Sequence, residues 1–289
     1  MRPAPSAASP KLTRGMPDSW PEDLPPWPLW VVPASILLGF VAGQVGIILV
    51  DIAGSIAGAS VSHPTPAMEI GGSIVFDLGF LGAALWLASV IGRATPADFG
   101  FRRVRWRVGI TSVVAGAVGY YGLTAIYSTV FKLTGTDKLP SQFGVGRSTW
   151  ALIGTAAFVC AIAPMAEEIY FRGFFFGSLR RLHVPLAGRE LGPWIAAVVT
   201  GILFGLAHFD SAQPEFLIPL GFLGFVLCLV RWRTGSLYPG MALHSANNAL
   251  ALGVQLHWSL PGILALIVAS WALIAAVVWP LGARTPALA

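Results

Sequence analysis

Eight long apolar runs dominate this chain: residues 29–52, 68–92, 108–131, 150–181, 192–212, 214–232, 237–256 and 259–281. A helix crosses a bilayer with about 20 largely apolar residues, so each run is long enough to be a span. Only 11% of the 289 residues are charged, whereas 55% are hydrophobic. A soluble domain carries about 25% charged residues, and here too few remain to cover a globule's surface. The expected fold is all-α: a polytopic membrane helix bundle of about eight transmembrane helices, with the lipid bilayer as its first partner.

The runs set the organisation. Residues 1–28 are rich in Pro, Ser and Ala. They lack the charged start and apolar stretch of a signal peptide, so a disordered cytoplasmic tail is expected, with Trp27 and Trp30 marking its entry into the interface. Residues 29–149 hold the first three spans. Residues 150–256 hold the spans with unusual polar groups, and 257–289 the final span and a short tail. Cys160 and Cys228 fall inside apolar runs and are expected to pack rather than form a disulfide. Gly54 with Gly58, and Gly201 with Gly205, suit close helix contact.

The net charge of +5 has meaning by position, because Lys and Arg mark cytoplasmic loops. It gives no reason to expect nucleic acid as a partner. "RATPADFGFRRVRWR" after the second run, "RRLHVPLAGRE" after the fourth and "RWRTG" after the sixth are basic. "SHPTPAM", "FDSAQPE" and "LHWSLPG" contain no Lys or Arg. The loop after the third run is mixed, with Lys132, Lys138 and Arg147. The alternation places both termini in the cytoplasm.

Against this apolar background a few polar residues stand out. "PMAEEIYFRGFFFG" carries three charges within the fourth run. Ionisable groups inside a span are costly and usually face the bundle interior. Glu168 and Arg172 are four apart and share a helical face, which suits an ion pair. Glu167 is turned about 100° from Glu168 and has no partner on its own helix, which suits a proton acceptor; the trio also suits a buried network that locks helices together. Phe204 and His208 share a face in the fifth run, and His244 and Asn248 in the seventh. The last pair could hydrogen-bond internally, and Asn247 points elsewhere. Asp51, Glu69 and Asp77 are expected to pack or lie at the interface. At 1.5 Å per residue, Glu167, His208, His244 and Asn248 lie roughly 20, 24, 10 and 17 Å from the cytoplasmic ends of their runs, close enough to meet in one layer. No Ser–His–Asp or Cys–His arrangement competes with them, and Ser245 points elsewhere on its helix.

Glu167-Glu168-x-x-x-Arg172, Phe204-x-x-x-His208 and His244-x-x-x-Asn248, in this order and on separate runs, resemble the three motifs of the CPBP family. These are the CAAX prenyl endopeptidases and bacteriocin-processing enzymes, also called the ABI family. "ADFGFRR" is similar to a basic segment of such proteins. The resemblance covers residues 150–256 and implies an intramembrane protease acting on a membrane-associated protein or peptide. It implies that Glu167 and His208 activate water, that His244 and Asn248 stabilise the oxyanion, and that Glu168 and Arg172 hold the group in place. Glu167, His208 and His244 are also candidate zinc ligands. The chain lacks His-Glu-x-x-His, so direct glutamate–histidine activation without a bound metal is the expectation. The alternatives are a non-catalytic scaffold or bacteriocin-immunity factor of the same fold, and a transporter. The expected location is a bacterial inner membrane.

Overall fold

The computed structural model describes residues 25, 27–92, 94–131, 133 and 138–282. The expected disordered tail, 1–28, therefore lies outside the described residues except for Pro25, Trp27 and Pro28. Eight long helices follow: α1 (Val31–Ile56), α2 (Pro66–Ile91), α3 (Trp106–Val130), α4 (Thr149–Leu179), α5 (Gly192–Ala207), α6 (Leu217–Thr234), α7 (Tyr238–Gln255) and α8 (Leu260–Val278). Short helical turns and a two-residue antiparallel ladder, Pro185–Leu186 with Arg189–Glu190, complete the described chain. This is a helical membrane bundle. Its outward faces are apolar: Leu37, Ile48 and Leu49 of α1 are all more than half exposed, as lipid-facing residues are.

Six described helices are long and apolar enough to cross a membrane. The two others differ from these six. α5 has 16 residues, about 24 Å, and stops at Ala207 rather than residue 212. The polar "FDSAQP" that follows turns the chain instead of continuing the helix. α7 has the length of a span, but His244, Ser245, Asn247 and Asn248 make it too polar to stand among the six.

Local chemistry sets the helix starts. The Thr65 hydroxyl accepts the Met68 N–H (3.3 Å) ahead of Pro66, and the Ser148 hydroxyl accepts the Ala151 N–H (3.0 Å). These caps satisfy N–H groups that have no partner within their helix.

Helices approach closely where side chains are absent. A Cβ on Gly79 of α2 would stand 2.5 Å from the Gly43 nitrogen of α1, and one on Gly201 of α5 would stand 2.8 Å from the Gly221 oxygen of α6. The Gly201 and Gly205 pair thus lies against α6 as expected. The Gly54 and Gly58 pair divides: Gly54 lies against Met68, whereas Gly58 is beyond the end of α1 with φ +86°, and a Cβ there would meet nothing within 4 Å.

The two ends of the bundle differ. At one end the chain's entry and exit meet the basic loops. Arg181 donates to the carbonyls of Pro25 (3.0 Å) and Trp27 (3.1 Å), the Leu237 N–H bonds the Gly100 carbonyl (2.9 Å), and the Arg103 guanidinium lies 4.7 Å from the Trp279 ring centre. Trp27 is fully buried between Phe99 and Phe174. It plugs the core rather than marking the interface; Trp30 alone stays exposed. Two of the loops poor in Lys and Arg, those after α1 and after α5, line a cavity at the opposite end.

Candidate active site

α4 is not a regular helix. Two π-helical stretches, Phe158–Ile162 and Glu168–Phe175, flank Pro164. Proline has no N–H to give to the carbonyls one turn behind it, and in hydrocarbon such orphans must be satisfied by neighbouring elements. α7 supplies both partners. The Ser245 hydroxyl donates to the Cys160 carbonyl (2.6 Å), and the Asn248 amide donates to the Val159 carbonyl (2.9 Å). The break in α4 therefore docks α7 beside it at a fixed height. π segments of this kind concentrate at functional sites.

The charged trio sits just after this break. Glu168 Oε1 is 2.9 Å from Arg172 Nη1, and both side chains are fully buried. The same carboxylate oxygen accepts from His244 Nδ1 at 3.1 Å. Arg172 also donates to the Gly224 carbonyl (3.2 Å) and covers the Phe204 ring at 4.3 Å. A Cβ on Gly240 would come 2.8 Å from Glu168 Oε2, so a glycine there makes room for the carboxylate.

A carboxylate paired with arginine only accepts, so His244 is the donor through Nδ1–H and its Nε2 is left for other work. That Nε2 stands 3.7 Å from Glu167 Oε2. Glu167 thus has a neighbour on α7, where its own helix offered none. His244 and Asn248 do not bond each other: Glu168 engages the one and the Val159 carbonyl the other. Asn247 does not act alone: it accepts from the Tyr121 hydroxyl (3.1 Å) and donates to Asn248 Oδ1 (3.3 Å).

His208 lies one residue past the end of α5, in a turn. Its Nδ1 is 2.8 Å from the Phe204 carbonyl, which only accepts, so Nδ1–H is again the donor and Nε2 the free nitrogen. The Phe204 ring stands between the histidines, 4.8 Å from His208 and 5.6 Å from His244.

Glu167, His208, His244 and Asn248 all line one cavity of about 780 Å³, a size that suits a ligand or peptide segment. Faces of α1 and α2 form its other wall, with Gln44, Asp51, Glu69, Ser73 and Asp77. The three acids expected to be packing or interfacial residues thus line the cavity instead. Single-helix spacing could not reveal this, because their partners across the space come from other helices. Sequence reasoning also missed Ser245, Tyr121 and Gly240. Pro164 inside an apolar run was the available signal for Ser245, since it announces carbonyls in need of donors.

Cys160 and Cys228 are free and buried. Among the described residues, no three His, Cys, Asp or Glu side chains stand together as a metal ion requires.

Residues 149–250 match the family described as type II CAAX prenyl endopeptidase Rce1-like. The chain is 28% identical over 154 residues to the uncharacterized protein YyaK of Bacillus subtilis, a stretch covering 50% of this chain and 47% of that one. It is 27% identical over 154 residues to an uncharacterized 24.3 kDa protein of Escherichia coli, covering 52% of this chain and 63% of the other. The chain thus spans less than two thirds of either relative. No solved structure matches it. The matched segment carries the trio, both histidines and Asn248, so the match supports the CPBP family, the type II CAAX prenyl endopeptidase group, for residues 149–250 of this chain.

Proposed function

We propose that this integral membrane protein hydrolyses a peptide bond of a membrane-associated protein or peptide, using water activated by Glu167. The observation that carries this reading is the shared cavity wall: Glu167, His208, His244 and Asn248 converge on one space from two helices and a turn. Amide hydrolysis needs a base for water and donors for the developing oxyanion, each held by a rigid element.

Glu167 takes a proton from water, and the water oxygen bonds to the scissile carbonyl carbon. His208, with Nδ1–H committed to Phe204, assists through Nε2. His244, donating through Nε2 as an imidazolium paired with the Glu168 carboxylate, and the second N–H of Asn248 serve the oxyanion; the first N–H of Asn248 is spent on Val159. The proton on Glu167 then passes to the departing amide nitrogen as the C–N bond breaks. Glu168 and Arg172 orient His244. No step is assigned to a metal, because the donors do not converge on one point.

The orientation belongs to the same reading. The basic loops share an end with both described chain ends, and positive loops stay cytoplasmic. The termini are then cytoplasmic, in a bacterial inner membrane, and the cavity opens on the opposite face. Purified wild type and Glu167→Gln, compared by cleavage assay and by membrane peptidomics of the producing strains, test the proposal. Peptides that accumulate only when Glu167 is replaced support it. Equal turnover by both forms removes it and leaves a scaffold.

A further inference from the structure

Five carboxylates line the cavity: Asp51 from α1, Glu69 and Asp77 from α2, Glu167 from α4, and Asp210 from the turn after α5. No Lys or Arg is among its described lining residues. Lys138 and Arg147 belong to a loop at the same end and do not line it. Glu69, Ser73 and Asp77 form one stripe of α2, and Asp77 lies about 12 Å further in than Glu69 along the helix.

Asp77 is the informative member. Its Oδ2 is buried without a hydrogen-bond partner, and it makes no ion pair among the described residues. Glu168, by contrast, is buried with Arg172 and His244. Burying a carboxylate with nothing opposite is costly, and a purely structural acid would have drawn a partner. Asp77 is also a close neighbour of Glu167, so two carboxyl groups lie side by side on the cavity wall. The acids are strung along the cavity and do not gather as a metal site would. A low-dielectric cleft lined with one sign of charge concentrates ligands of the other.

We infer that the cavity contains a subsite for a cationic side chain: the substrate segment brings a Lys or Arg that pairs with Asp77, guided inward past Asp51, Glu69 and Asp210. This rests on the peptidase reading and deepens it by naming the class of segment cleaved. Asp77 is then a specificity-determining residue, on a wall outside the matched family segment.

The test uses the full chain in detergent micelles. The probes are short acylated fluorescent peptides, identical except for a central Arg, Gln or Glu. Binding is followed by anisotropy and cleavage by mass spectrometry on the same samples. The Arg peptide should bind about tenfold tighter than the Gln peptide, the scale of one charge-assisted hydrogen bond, and the Glu peptide weakest. Asp77→Asn should bring the Arg peptide down to the level of the Gln peptide, and Asp77→Glu should keep the preference.

Equal binding of the Arg and Gln peptides to the native chain, or binding of neither, overturns the subsite, and this comparison needs no variant to fold. An Arg preference that survives Asp77→Asn in folded protein overturns the assignment to Asp77. Charge-selective binding with no cleavage supports the subsite and removes the peptidase reading. Cleavage with no charge preference supports the peptidase reading and removes the subsite.

Discussion

The two walls of the cavity are built on opposite principles. On the α4 and α7 wall, the buried Glu168, Arg172, His244, Ser245 and Asn248 side chains each have a partner on another residue. Arg172 and His244 hold Glu168, Asn248 holds the Val159 carbonyl, and Ser245 holds the Cys160 carbonyl. On the α1 and α2 wall, the helices join through glycine and aromatic contacts such as Gly39 and Gly43 against Phe80 and Phe76. Its acids face the cavity, and Asp77 is without a partner. The first wall is preorganised, as a site for bond breaking must be. The second leaves its charges for whatever enters. The family match falls on the first wall, 149–250, and omits the second.

Substitutions can break or sharpen this contrast. The largest effect is expected at Glu167. Glu167→Gln keeps the side chain's volume and removes the base, so turnover should fall by about 10²–10⁴, the usual worth of such a base, while thermal unfolding is unchanged. His208→Ala should match it, and the double variant should be little worse, because groups acting as one unit are not additive. Cleavage rates normalised to folded protein decide the point. Near-normal turnover in Glu167→Gln with a dead Glu168→Gln would show the roles of the two glutamates to be reversed.

Next comes Arg172. Its removal strands a buried carboxylate, a loss of about 3–5 kcal/mol. Arg172→Ala should therefore lower stability in detergent as well as activity. Full stability with lost activity would make Arg172 a substrate contact and weaken the idea of a preorganised wall.

Ser245→Ala should cost less, about 1–3 kcal/mol for one unsatisfied buried carbonyl. Its unfolding midpoint should fall with KM little changed. Asp51→Asn, on the facing wall, should shift stability by no more than about 0.5 kcal/mol. A loss there as large as that of Ser245→Ala would erase the difference between the walls.

The smallest effect lies outside the membrane. Glu190 accepts the N–H groups of Val184 (2.6 Å) and Gly192 (3.0 Å) and pairs with His183 (2.7 Å). These contacts, the Val184 N–H foremost, hold its carboxyl below the usual range. A depressed folded value means the order it confers is complete above the ordinary carboxylate range, about pH 4. It is lost as pH falls through the lowered value. Hydrogen exchange at Val184 and Gly192 should quicken there relative to their intrinsic rates, with the cavity walls untouched. Unchanged protection through that range would show that the ladder holds the loop without the carboxylate.

Much of the bundle was legible because a bilayer imposes a long apolar run on each crossing. The i,i+4 pairing of Glu168 with Arg172 was legible because one helix contains both partners. Other features were hidden by their dependence on a second element. His208 reads as a residue within a span, yet the polar turn after Ala207 ends α5 and leaves it at the tip. Trp27 reads as an interfacial marker, yet Phe99 and Phe174 arrive from distant segments to bury it. His244 and Asn248 read as a pair, yet α4 claims each separately.

The sequence by itself determined the membrane bundle, its basic and non-basic ends and the family of residues 149–250, because hydropathy, charge and short motifs act within one segment. Only the tertiary structure decided that Asp51, Glu69 and Asp77 share a cavity with Glu167, and that α7 satisfies the carbonyls freed by Pro164. Those outcomes depend on which helix faces stand opposite one another. A helical period records which residues share a face, but not what that face will meet.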